Sequence, residues 1–253
     1  MALFLGQFYS EALRMETSFA AILPEKDPGR GFPVLTLLNG AGGDYSGWLR
    51  FTSLERYVKN RRLAVLLPNA HLSMYEDMAH GGKYFTYLAD EFPRRVAGFF
   101  PLSGAREEHF LAGLSMGGMG ALKIGMRRPE QYALIGCFSA GHSNYLFRKP
   151  APGTPRERRY FLAYGDADVE EKEAETMRIA RNLAREGAIV PRVFHACGAQ
   201  DPIRKNAHVT RDLFAQIPGN PFQYEYLEPE GRHNWDFWDA ILPEFLRRID
   251  TYL

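Results

Sequence analysis

A mostly parallel α/β sheet covered by helices on both faces is the fold class that the sequence predicts, and three observations carry it. Short apolar runs bounded by Gly, Pro and Asn recur along the chain: Val34 to Leu38, Leu63 to Pro68, His109 to Ala112, Leu134 to Ser139 and Pro191 to Cys197. Continuous rather than alternating hydrophobicity is the pattern of strands buried on both faces. Stretches of helical character separate these runs, as parallel pairing requires. The 253 residues, 45% of them hydrophobic, suffice for one sizeable core, and a single domain over 1–253 is expected.

Residues 3 to 23 alternate loosely between apolar and polar, which predicts two antiparallel strands at a sheet edge. Pro24 to Phe32 is a turn, and Val34 to Leu38 a buried strand that ends in the glycine loop Asn39-Gly40-Ala41-Gly42-Gly43-Asp44. A helix from Trp48 to Lys59 leads to the strand at Leu63, and a second from Lys83 to Phe92 precedes the strand entering Ser115. After Leu134 to Ser139 the regularity fails. Pro150, Pro152, Pro155, several glycines and the cluster Arg156, Arg158 and Arg159 mark an irregular insertion or partial lid at about 140–172. A helix over Glu173 to Glu186, the strand Pro191 to Cys197, a helix over Ile203 to Ile217, the strand Phe222 to Leu227 and a helix over Phe237 to Tyr252 complete about eight strands.

A net charge of +1, from 31 basic and 30 acidic side chains, gives no electrostatic reason to expect nucleic acid or an anionic membrane as a partner. Cys137 and Cys197 sit in apolar runs and read as free buried thiols. No Cys/His spacing resembles a zinc site, so neither a metal nor a cofactor is expected. The first nine residues lack a basic segment followed by an apolar core and a small-residue cleavage site. No apolar run approaches a membrane span, and a cytoplasmic protein without membrane insertion is expected. Whether it is a homo-oligomer is left open.

The chain is organised around Ala112-Gly113-Leu114-Ser115-Met116-Gly117-Gly118, where a strand runs through Gly-x-Ser-x-Gly into a helix. The pentapeptide alone occurs by chance in many proteins. Its setting adds the physics: a serine on a sharp strand-to-helix turn presents its hydroxyl, and glycines let the turn close. The helix start at Met116 aims free backbone N–H groups at negative charge developing beside that hydroxyl.

Such a nucleophile needs a base and an acid later in the chain. Of seven histidines, His195 lies in a strand and His208 in a helix, His71 and His80 precede the serine, and His109 and His142 lie too near it in sequence. His233 follows the last strand, where an α/β sheet places a base. For the acid, Asp201 competes with Asp166 and Asp168. Asp201 is preferred because one helix and one strand separate it from His233, while the other two fit turn chemistry.

With these residues in place, the chain resembles the Putative esterase family related to esterase D, and within it is similar to the tributyrin esterases. The matching segments are 37–44 with 48–56, 67–70 with 84–87, 112–118, 196–201 and 233–238, spread over nearly the whole sequence. Two departures stand out: Asn39 occupies a position where the family commonly has histidine, and Pro202-Ile203-Arg204-Lys205 replaces an aromatic segment.

The resemblance implies an α/β-hydrolase fold and a serine esterase hydrolysing short-chain acyl esters of small molecules through an acyl-enzyme. It puts the triad on Ser115, Asp201 and His233. The oxyanion would be held by the backbone N–H of Met116 and one from Gly40 or Ala41. An S-formylglutathione hydrolase-like thioesterase, an acyltransferase on the same fold and a noncatalytic binding protein are the alternatives.

Overall fold

A computed structural model describes residues 1–25, 27–143 and 150–253. Eight strands form one sheet in the order β1-β2-β4-β3-β5-β6-β7-β8. They are β1 (Ala2–Ser10), β2 (Met15–Leu23), β3 (Val34–Leu38), β4 (Ala64–Pro68), β5 (His109–Leu114), β6 (Leu134–Phe138), β7 (Arg192–Ala196) and β8 (Glu225–Leu227). β1 pairs with β2, and β2 with β4, antiparallel; every other pairing is parallel. The continuous apolar runs have the meaning expected of them. Ala64 and Leu66 of β4 pack into one core and Val65 and Leu67 into another, one on each face of the sheet.

The helices are α1 (Gly47–Phe51), α2 (Leu54–Val58), α3 (Tyr84–Thr86), α4 (Phe92–Ala97), α5 (Met116–Arg127), α6 (Pro155–Tyr164), α7 (Val169–Glu186), α8 (Arg204–Ala215) and α9 (Trp235–Ile249). The single helix expected from Trp48 is two short ones. Thr52 turns extended between them, and the Ser53 N–H donates to the Asp239 carboxylate at 2.7 Å. Between α3 and α4 a π-type turn, Tyr87–Glu91, carries the chain up to Pro93, which has no N–H for a regular ladder.

The insertion expected at about 140–172 is in part ordered as α6; positions 144–149 of it lie outside the described residues. Proline content suggested irregularity there, but Pro155 sits in the first turn of α6, where its missing N–H costs nothing. Thr154 caps that turn by accepting the Glu157 N–H at 3.3 Å. Thr-x-x-Glu is a helix-start signal that the arginine cluster obscured.

Cys137 and Cys197 are free and buried. Among the described residues no helix is long and apolar enough to cross a membrane.

Candidate active site

Parallel strands end at one edge of the sheet, and three loops converge there. β5 ends at Leu114, and Ser115 turns the chain into α5 with φ +54° and ψ −118°, a conformation that a residue with a side chain adopts only under constraint. Two close approaches require glycine. A Cβ at Gly113 would lie 2.4 Å from the Gly117 carbonyl oxygen, and one at Gly117 would lie 2.6 Å from that of Leu38. The Ser115 N–H is anchored on the Phe138 carbonyl at 2.8 Å, which fixes the turn to the neighbouring strand.

His233 precedes Asn234, whose side chain caps α9 by accepting the Phe237 N–H at 3.3 Å. Its Nε2 lies 3.0 Å from Ser115 Oγ, and its Nδ1 lies 2.9 and 3.1 Å from the two Asp201 carboxylate oxygens. Only a donor suits a carboxylate, so Nδ1 carries the proton and Nε2 accepts from the serine hydroxyl. The Trp238 ring stands edge-on to the imidazole, with centroids 5.2 Å apart.

Asp201 is buried, and burial alone would oppose its ionisation. The His233 hydrogen bond, the Ile203 N–H at 2.9 Å and attraction to the imidazolium once His233 is protonated outweigh burial and hold the carboxyl below its usual value. The loops carrying Asp201 and His233 are themselves joined. Gln200 N–H donates to the Gly231 carbonyl at 3.0 Å, Gly231 N–H returns to Gln200 Oε1 at 2.9 Å, and Ala199 N–H reaches Pro229 at 2.9 Å.

The glycine loop after β3 forms the facing wall. Asn39 is buried and acts as its clamp: its side-chain amide donates to the carbonyls of Gly40 at 3.0 Å and Gly43 at 3.1 Å, and its Oδ1 accepts the Ala70 N–H at 3.0 Å. Its own carbonyl accepts the Tyr75 hydroxyl at 2.8 Å. Tyr75 is wholly buried, which pushes its hydroxyl's pKa up, and its ring fills the space opposite Gly120 of α5. The loop bearing Tyr75 is tied to α5 through the buried Lys123, which donates to the Met74 carbonyl at 2.9 Å and pairs with Glu76. Burial lowers the lysine's pKa and Glu76 opposes that. Gly40 and Ala41 thereby face Ser115 across a cleft they share with Trp235 and Trp238. The N–H of Met116 lies in the first turn of α5, where no intrahelical acceptor exists.

A cavity of about 310 Å³ also opens at Ser115, lined among others by Met74, Arg156, Arg159, Tyr160, Ile203 and Asn206. Ser115, Asp201 and His233 are thus brought into one hydrogen-bonded line, with Met116, Gly40 and Ala41 around it. Asp166 and Asp168 are not part of it; Asp168 caps α7 by accepting the N–H groups of Glu170 and Glu171. His195 is a core residue: the Ala140 carbonyl at 2.8 Å makes its Nε2 a donor, and the Tyr224 hydroxyl at 2.6 Å serves Nδ1.

Sequence reasoning missed the brace of Tyr75, Glu76 and Lys123 and the cavity arginines. One signal was available. Lys123 stands among Ala121, Leu122 and Ile124 on an otherwise apolar helix, and a buried ammonium demands partners.

The model of the family described as "Putative esterase" matches residues 10–249. An acetyl esterase from Caldicellulosiruptor saccharolyticus is 30% identical over 261 aligned residues, covering 96% of each chain. Among solved structures, the fluorophosphonate-binding serine hydrolase FphF of Staphylococcus aureus superposes with a TM-score of 0.87 at 25% identity over 98% of both chains. The S-formylglutathione hydrolase FrmB of the same organism gives 0.86, again at 25% identity over 98% of both.

Proposed function

The chain belongs to the Putative esterase family and is a carboxylic ester hydrolase, and from that premise we propose that Ser115, His233 and Asp201 are its catalytic triad. The observation that carries this reading is the unbroken line from Ser115 Oγ through His233 to the Asp201 carboxylate, starting on a strained turn. His233 Nε2 removes the serine proton as Oγ bonds to the ester carbonyl carbon. Asp201 holds the tautomer and stabilises the imidazolium. The carbonyl oxygen becomes an oxyanion, held by the N–H of Met116 and one from Gly40 or Ala41. The C–O bond to the alcohol then breaks, and the alcohol leaves with the proton from His233. Water, deprotonated by the same imidazole, attacks the acyl-enzyme; the carboxylic acid is released and Ser115 regains its proton.

A short acyl group is supported by the acetyl esterase relative, and the cavity of about 310 Å³ beside Ser115 has room for one small arm of the ester. The chain 1–253 is read as one α/β-hydrolase domain, with α6 acting as part of a lid over that cavity. The likeness to FrmB favours a second reading, a thioesterase acting on S-formylglutathione. A fluorophosphonate probe should modify Ser115 stoichiometrically, as identified by peptide mass. A kcat/KM for S-formylglutathione above that for 4-nitrophenyl acetate would shift the assignment to the second reading, and labelling at another residue would reject both.

A further inference from the structure

The two clefts that meet at Ser115 differ in charge. Ser115, His233 and Ala41 line both. One cleft is walled by the Gly40 to Gly43 loop and by Phe51, Trp235 and Trp238, with Asp44 and Arg50 contributing one charge of each sign. The other, the cavity of about 310 Å³, has Arg156 and Arg159 in its lining and, among the described residues, no carboxylate. The Asp201 carboxylate lies behind the imidazole and is taken by His233 and the Ile203 N–H.

Arg156 and Arg159 stand three positions apart on α6, so both project from one helix face, and that face lines the cavity. The Arg156 guanidinium lies over the Tyr160 ring, 5.7 Å from its centroid. Arg159 makes no ion pair with any carboxylate among the described residues, and its Nε is buried without a hydrogen-bond acceptor there. A charged group's buried N–H left unsatisfied is destabilising, so a wall of this kind is poorly matched to an empty or purely apolar cavity. The planar guanidinium fork matches a carboxylate or phosphate in shape as well as in charge.

We propose that the preferred substrate is an ester carrying an anionic group, a carboxylate or phosphate, on one side of its scissile carbonyl, bound by Arg156 and Arg159 in the α6 cavity, with the uncharged remainder in the cleft of Trp235 and Trp238. The proposal rests on Ser115 being the nucleophile. It adds a substrate class to that reading: a small monoester whose charged arm is held a few bonds from the reacting carbon.

Two matched ester pairs test it and reveal which arm bears the charge. 4-Nitrophenyl hemiglutarate against 4-nitrophenyl pentanoate places the anion on the acyl side, and 4-acetoxybenzoate against its methyl ester places it on the alcohol side. In one pair the wild-type enzyme should favour the anion by roughly tenfold or more in kcat/KM, the effect of one charge-assisted hydrogen bond or more. The preference should shrink as salt is raised. In the Arg156→Gln/Arg159→Gln double variant the ratio should fall to about one, and Arg159→Lys should keep part of it, since the charge remains without the fork. If the double variant fails to fold, Arg159→Gln alone should weaken competitive inhibition by glutarate several-fold, with the wild-type enzyme as reference. A wild-type enzyme that hydrolyses the neutral esters but favours the anion in neither pair would overturn this inference and leave the nucleophile assignment standing. An unchanged ratio in the double variant would do the same. Failure to turn over any of the four esters, with no fluorophosphonate labelling of Ser115, would overturn both.

Discussion

Ser115 and Arg159 line the same cavity, but the structure holds them in different ways. Ser115 sits where backbone geometry leaves no freedom: a left-handed turn, two glycine contacts that exclude any Cβ, and a main-chain hydrogen bond to the next strand. Asn39, Asp201 and His233 are similarly fixed by main-chain partners or by each other. Arg159 reaches the cavity on a long side chain from a ten-residue helix. The carbonyls of Leu162 and Ala163 near the end of that helix accept the His80 and Ala79 N–H groups at 2.9 and 3.0 Å, and Tyr160 and Tyr164 of the same helix stack on each other. The groups proposed to react, the floor of the site, are therefore held by backbone, and the cavity wall is made of side chains. Substitutions on the floor should break the chemistry or the fold, whereas substitutions on the wall should retune what is accepted.

The sharpest break is Ser115→Ala, which should lower 4-nitrophenyl acetate turnover by about a million-fold while the circular dichroism spectrum is unchanged. Activity within tenfold of wild type would mean that the floor is not the reacting surface. Gly117→Ala comes next. Its new methyl would sit 2.6 Å from the Leu38 carbonyl oxygen and 2.7 Å from that of Asn39, so backbone must move. A loss of about 3 kcal/mol in denaturant titration is expected, together with lower kcat.

Acid should separate the two regions as well. Burial holds His142 and His195 near pKa 4, His142 further disfavoured by Arg181, while His195 gains back a little from the Ala140 carbonyl. His195 is the penultimate residue of β7, and His142 follows the last residue of β6 by four positions. In the unfolded chain a histidine takes its proton near pH 6.5, so between about 6.5 and 4 the unfolded state binds more protons than the native one. Stability from these groups is complete above about 6.5 and falls as pH drops toward 4, by about 3 kcal/mol for one such histidine. Chemical denaturation at pH 7 and pH 5 reads this directly. Equal stabilities would show that these rings are not buried neutral, whereas His195→Asn should flatten the dependence.

The smallest effect tests the brace. Tyr75→Phe deletes only the hydroxyl that donates to the Asn39 carbonyl. Stability should fall by about 1 kcal/mol, and kcat by roughly tenfold with KM little changed, if the loop's N–H groups act on the oxyanion and not on the bound ester. A change confined to KM would place the loop's role in binding.

Much of the floor was legible in the chain. Apolar runs reported strands because burial on both faces leaves no polar register, and Gly-x-Ser-x-Gly reported the elbow because its contacts lie within a few residues. Asp201 and His233, the residues that the structure hydrogen-bonds in line with Ser115, were picked out by their order after strands, since parallel sheets deliver successive loops to one edge. The α6 helix was missed because proline and arginine density outweighed a four-residue cap signal. The role of Asn39 could not be read, since its partners Ala70 and Tyr75 arrive from the loop after β4.

Taken alone, the sequence determined the strands and most of the helices, and that Ser115, Asp201 and His233 follow strands, because local periodicity and chain order encode both. Only the tertiary structure decided that Tyr75 holds the Asn39 loop, that Lys123 and Glu76 hold Tyr75, and that two arginines from α6 line the cavity beside Ser115. Those contacts join elements far apart in the chain, and the order in which the strands lie, with β4 and β3 exchanged and β5 central, sets which loops meet.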